Sequence, residues 1–205
     1  MLNTLPEWMT AGPPFRRMMI FIDGENLVLR YQKMCEKGWK PRNDNTTHIK
    51  DVVIWHESFS YGVQLDEVLR ATYYTSSSGS PETIKSIKKI IKSLTFTQHR
   101  NSSLPNNLTP RVIHKPKQSR KTRVVDIHIA VDVLGHIYRN NVDIIVLLAG
   151  GGDYISLINE VQKFGKQCYI SAFSSGLNDE LKYVADRFYC LDGTMFPEGH
   201  PTGEV

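Results

Sequence analysis

Residues 142–157 read VDIIVLLAGGGDYISL. A continuous apolar run stops at three glycines and one aspartate. A run of this length without alternation describes a strand buried on both faces, as in a parallel sheet. The following DYISLINEVQKFG reads as a helix closed by Gly165. A buried strand that passes straight into a helix is the repeating step of an α/β fold.

The same step recurs on either side. RRMMIFIDG (16–24) is a short apolar strand ending at Asp-Gly, and ENLVLRYQKMCEKG continues with helical spacing to Gly38. A second helix is expected across 49–60. EVLRATYYTSS (67–77) reads as a strand. SPETIKSIKKIIKSL reads as a helix with Ser80 at its cap and Pro81 at its first position. RVIHK is a short strand, PKQSRKTR an exposed basic loop, and VVDIHIAVDVLGHIYRNN a helix ended by its Asn pair. KQCYISAFS, NDELKYVADR and FYCLD complete the alternation as strand, helix and strand. The expected organisation is an N-terminal extension over 1–16, one domain over 17–193 and a tail over 194–205.

The 205 residues are 40% apolar and 22% charged, enough for one core. No apolar run approaches the roughly 20 residues of a membrane helix. The first residues lack the basic start and apolar core of a signal peptide. Cys35, Cys168 and Cys190 show no C-x-x-C spacing and read as reduced thiols of a cytoplasmic protein. The net charge of +4 hides an asymmetry: Lys85 to Val125 holds eleven Lys or Arg and no acid. Such a strip is either a solvated face with a basic loop or a track for a polyanion.

Parallel sheets place their sites beyond the carboxyl ends of the strands. Asp23 and Asp153 both fall there, and Asp126 begins the helix that leads into VDIIVLLAG. Singly, they have simpler roles: a turn residue, a first-turn acid and a helix cap. Together they would need a cation to offset their repulsion, and oxygen ligands suit Mg²⁺ or Mn²⁺ rather than zinc. His128 and His136 lie about 12 Å apart along a helix, too far to share an ion. With Asp132 and Arg139 they form a polar stripe read as a solvent face. Dinucleotide binding is disfavoured, because GGGDY lacks the last glycine of G-x-G-x-x-G.

MMIFIDGENL, with Asp23 and Asn26 in D-x-x-N spacing, resembles the opening of NYN domains, the LabA-like branch of the PIN-like nuclease fold. KTRVVDIHIAVDVL is similar to that branch's K-G-V-D-x-x-L-A-x-D segment and carries Asp126 and Asp132. VLLAGGGDYISLINEVQKFGKQCYISAF resembles its V-S-G-D-x-D-F turn and the next strand, and SSGLNDELKYVADRFYCLD its closing segment. The resemblance covers about residues 17–193.

It implies a PIN-like Rossmannoid three-layer sandwich with a mostly parallel sheet, and a metal-dependent endoribonuclease acting on single-stranded or structured RNA. Asp23, Asp126 and Asp153 would bind Mg²⁺ or Mn²⁺. Asn26 would orient Asp23 or touch the scissile phosphate, and Asp132 would support the site. Lys115, Lys117, Arg120, Lys121 and Arg123 are the candidate RNA contacts. Ser175 and Asn178 would cap the penultimate helix, and Asp186 would be structural. Homo-oligomers are compatible with this reading.

Gly151 stands where the motif has its first acid. The chemistry is therefore expected to be weakened, either naturally or by a substitution that traps substrate. The competing expectation is an RNA-binding module of the same fold that acts without cutting.

Overall fold

The computed structural model describes residues 16–63, 67–96, 106–115 and 123–199, with the side chains of 61–63 and 67 left aside. Its centre is a six-stranded sheet in the order β5-β4-β1-β6-β7-β8, and every neighbouring pair is parallel. The strands are β1 (Arg17–Asp23), β4 (Glu67–Ser77), β5 (Thr109–His114), β6 (Ile144–Leu148), β7 (Gln167–Ala172) and β8 (Arg187–Cys190).

The decisive stretch behaves as its composition demands. All five residues of β6 are buried, and each fully buried aliphatic side chain contributes about 1.5–3 kcal/mol. β1 lies beside β6, and Asp143 fixes their starting register. Its carboxylate accepts from Arg17 N (2.9 Å) and Arg17 Nη2 (2.8 Å), with Lys166 Nζ at 3.5 Å. These cations hold the Asp143 carboxyl well below the usual carboxylate range, the Arg17 side chain contributing most.

Alternate residues of β1 feed two cores. Met18, Ile20 and Ile22 face α1 (Gly24–Glu36), α2 (Pro81–Ser93) and α6 (Asp192–Met195). Met19 and Phe21 face α3 (Val124–Tyr138), α4 (Ile155–Lys163) and α5 (Glu180–Val184). The result is the expected three-layer α/β sandwich. From β1 the chain first builds outward through β4 to β5, then crosses over to β6, β7 and β8. The winding therefore reverses between β1 and β6, where a crevice opens at the carboxyl edge.

Local chemistry sets most boundaries. Ser80 Oγ accepts from Thr83 N at the start of α2, with Pro81 following it. Left-handed Gly38 (φ 93°) lies just beyond α1, and left-handed Gly165 (φ 68°) just beyond α4.

Two expectations differ from the structure. The helix expected across 49–60 is instead an antiparallel hairpin, β2 (Thr47–Ile49) with β3 (Val53–Trp55), followed by a 3₁₀ stretch. Asp51, at φ 60°, makes its turn, while the β-branched Val53 and Ile54 favour a strand. The expected tail begins inside the core, since Met195 and Phe196 are buried against the first core. Among the described residues, no helix is long and apolar enough to cross a membrane.

Candidate active site

Asp23 ends β1 and caps α1: its Oδ1 accepts from Asn26 N at 2.9 Å. The residue is only 4% exposed. Its Oδ2 lies 3.0 Å from the hydroxyl of Tyr154, and the same hydroxyl lies 3.1 Å from Asp126 Oδ1. One phenol thus spans two carboxylates, one from β1 and one from the first turn of α3. Asp126 is not the helix cap; Arg123 holds that position.

A hydroxyl carries a single proton and cannot donate fully to both acids. Burial pushes the Asp23 carboxyl up to about 7, and the Asp126 charge adds to the rise, while the Asn26 N–H opposes it. With a proton on Asp23, that carboxyl donates to the Tyr154 oxygen and Tyr154 donates to Asp126. Every group in the chain is then satisfied. Burial and the two acids also keep the phenol itself protonated.

Asn26 does not orient Asp23 through its side chain. Its Oδ1 accepts from Gly150 N at 3.2 Å, so Asn26 ties the start of α1 to the exit of β6. The glycines at that exit need a different account from backbone freedom. None of Gly150, Gly151 and Gly152 has a left-handed backbone, and Gly151 is extended (φ −81°, ψ 135°). Gly152 is close-packed, because a Cβ there would lie 2.2 Å from Asn178 Nδ2 and that side-chain end would have to move. A Cβ on Gly151 would meet nothing within 4 Å.

Asp153 sits in the 3₁₀ turn before α4 with its side chain 51% exposed, and pairs with Arg123 Nη1 at 2.9 Å. Asp23 and Asp126 therefore share one partner, while Asp153 is neutralised by another. Among the described residues, no group of three His, Cys, Asp or Glu side chains is placed to hold a metal ion. The arrangement is not a cage of three acids. Asp23 and Asp126 are the two carboxylates that could hold a divalent cation, whose remaining ligands would be water.

Asp132 lies about 9 Å along α3 from Asp126 and does not join it. It accepts from the Tyr74 hydroxyl at 2.7 Å, with Arg111 Nε at 3.7 Å. This half-buried position replaces the solvent-face reading. Asn178 Oδ1 accepts from Glu180 N at the start of α5. Asp186 accepts from Cys168 N at 2.7 Å.

The basic strip is not one surface. Lys85, Lys88, Lys89 and Lys92 are exposed on α2, whereas Arg111 lies on the opposite side of the sheet, facing α3. Lys115 follows β5 four residues after Arg111. Lys117, Arg120 and Lys121 lie outside the described residues. Tyr154 was not among the candidates, although a signal existed: tyrosine stands where the D-x-D-F motif has phenylalanine, and the added hydroxyl is the group that reaches both acids.

A six-stranded parallel sheet flanked by helices, with acids at its carboxyl edge, agrees with the PIN-like fold. The sequence matches the NYN domain family over residues 17–192, and the chain belongs to that family. The fold is similar to the crystal structure of a protein of unknown function from Vibrio parahaemolyticus. The TM-score is 0.59 at 18% identity, covering 90% of this chain and 98% of that one. No curated protein matches the chain.

Proposed function

We propose that this chain is an RNA-acting phosphodiester hydrolase of the NYN type with reduced hydrolytic capacity. The observation that supports it best is the meeting of Asp23 and Asp126 on one hydroxyl, beyond the strand ends where the winding reverses. Asp23 and Asp126 would hold Mg²⁺ or Mn²⁺, which when bound supplies an activated water and neutralises phosphate charge. Asp23 is pre-positioned by its cap to Asn26, and Asn26 holds the β6 exit in place. Arg123, beside Asp153 and largely exposed, offers a guanidinium for a phosphate at the same edge. Gly151 leaves the position of the missing acid open. Three free cysteines suit a reducing compartment, the cytoplasm.

A second reading, RNA binding without cleavage, is favoured by the partners the acids already have: Tyr154 for Asp23 and Asp126, Arg123 for Asp153. Single-turnover cleavage of labelled RNA in Mn²⁺, with EDTA and Asp23→Asn controls, separates the two. Slow cleavage abolished by both controls supports the hydrolase. Tight RNA binding in EDTA with no cleavage in Mn²⁺ selects the binding module.

A further inference from the structure

Beside α3, part of the sheet has no helix over it among the described residues. α3 packs on β4 and β1, and α2 covers the opposite face of β5. The α3 side of the β4–β5 edge therefore remains open as a cleft of about 50 Å³. Its lining includes Arg70, Thr72, Thr109, Arg111, Asp132 and His136. Register explains the grouping: Thr72 lies opposite Thr109, and Tyr74 lies opposite Arg111. Arg70, Thr72 and Tyr74 alternate onto the same face of β4.

The charge is one-sided. Arg70 and Arg111 give +2 and Asp132 gives −1, leaving +1 with His136 neutral. The one carboxylate is already engaged by Tyr74 and Arg111. Arg70 is exposed and has no acidic partner among the described residues. Two arginines and the Thr109 hydroxyl are a donor set for phosphate oxygens, whereas Thr72 already bonds Tyr74 and His136 Nδ1 already meets Asn141 Oδ1 at 3.0 Å. The volume suits a few water-sized groups, which is the scale of a phosphate.

The cleft and the acidic site share one helix. α3 carries Asp132 in the cleft and Asp126 at the carboxyl edge, about 9 Å apart along the helix. Along the strands, Arg70, Arg111 and Lys115 are spaced four residues apart in register, roughly 13 Å per step. The row ends at the edge where Asp126 stands.

We infer that this cleft binds backbone phosphates of a single RNA strand, holding the portion that extends from Asp23 and Asp126 down the β5 edge. The inference rests on the proposal that the chain acts on RNA. It adds a second contact region, separate from the acids, that only a longer strand reaches.

The test is RNA binding by fluorescence anisotropy, in EDTA, to labelled strands of about four and about sixteen nucleotides, the range spanned by strand-binding grooves. The proteins are the full chain, Arg70→Gln, and Arg70→Gln with Arg111→Gln, each checked by circular dichroism. The double variant should bind the long strand at least fivefold more weakly, and its salt slope should fall by about 1.4, or 0.7 per contact. The short strand should bind as before. Arg70→Gln alone, which breaks no ion pair, should lose about half of the effect. Unchanged affinity for the long strand overturns the cleft while leaving the acidic site standing, as does an equal loss for both strands. Inorganic phosphate that stabilises the parent but not the double variant, with RNA binding unaffected, overturns the strand in favour of a free-anion site. A parent chain that binds neither strand overturns the cleft and the RNA reading together.

Discussion

Replacing Tyr154 with phenylalanine removes one oxygen from the interior and leaves two acids facing each other. In the parent, that oxygen lies 3.0 Å from Asp23 and 3.1 Å from Asp126. A hydrogen bond to a charged group contributes about 1.5–3 kcal/mol net. Because the hydroxyl donates to one charged acid, Asp126, and accepts from the neutral Asp23, the loss should be near one such charged bond, about 2 kcal/mol, rather than two. For a domain of this size, 1 kcal/mol corresponds to about 2–4 °C in Tm, so Tyr154→Phe should melt about 4–8 °C below the parent in EDTA.

A divalent cation offers the two acids a replacement partner and does not have to displace the phenol in the variant. Mn²⁺ should therefore raise the Tm of Tyr154→Phe by more than it raises that of the parent. The assay is differential scanning calorimetry of both proteins, in EDTA and in saturating Mn²⁺. A variant that melts with the parent in EDTA would show that the bridge contributes nothing. A variant that is destabilised but gains no more from Mn²⁺ than the parent would show that phenol and cation do not compete for these acids.

Gly151→Asp should fold normally, since position 151 is extended and unobstructed. It should raise Mn²⁺-dependent RNA cleavage at least about tenfold, equivalent to roughly 1.4 kcal/mol of transition-state stabilisation, measured by single-turnover cleavage with an EDTA control. Alanine at the neighbouring glycines should separate space from conformation. Gly151→Ala should be neutral or stabilising by up to about 1 kcal/mol. Gly152→Ala must displace Asn178 from the start of α5 and should cost about 0.5–2 kcal/mol in urea unfolding. Asp143→Asn tests the register clamp between β1 and β6. The folded-state carboxyl is depressed, so its stabilisation is present above the unfolded value of about 3.9 and is lost as pH falls through the range below it. The variant should be less stable than the parent by about 1.5–3 kcal/mol at pH 7, and the gap should begin to narrow below about pH 4 and close only below the depressed folded-state value.

The strands and most helices were legible because their signals are local. β6 is a continuous apolar run, and the start of α2 is written in Ser80 and Pro81. The hairpin at 47–55 was not, because its nine residues present the same apolar spacing as a short helix. The left-handed Asp51 that decides between them leaves no mark in composition. At the site, Asp23 and Asp126 were legible from their places at a strand end and a helix start. Their common partner was not, since the reach of Tyr154 depends on how α4 and α3 settle on the sheet. The pairing of Asp153 with Arg123 likewise joins residues 30 apart in sequence.

The two acidic positions of this site are held in place by different kinds of constraint. Asp23 caps α1 as well as facing the crevice, so a chain that had given up cutting RNA would still lose helix stability by discarding it. A Cβ at position 151 would meet nothing within 4 Å among the described residues, so its side chain is not part of the packing there. When selection for cleavage relaxes, the first acid free to drift away is therefore the one at 151, while the acid at 23 persists as architecture. A glycine at 151 beside an intact Asp23 is the pattern such a history would leave.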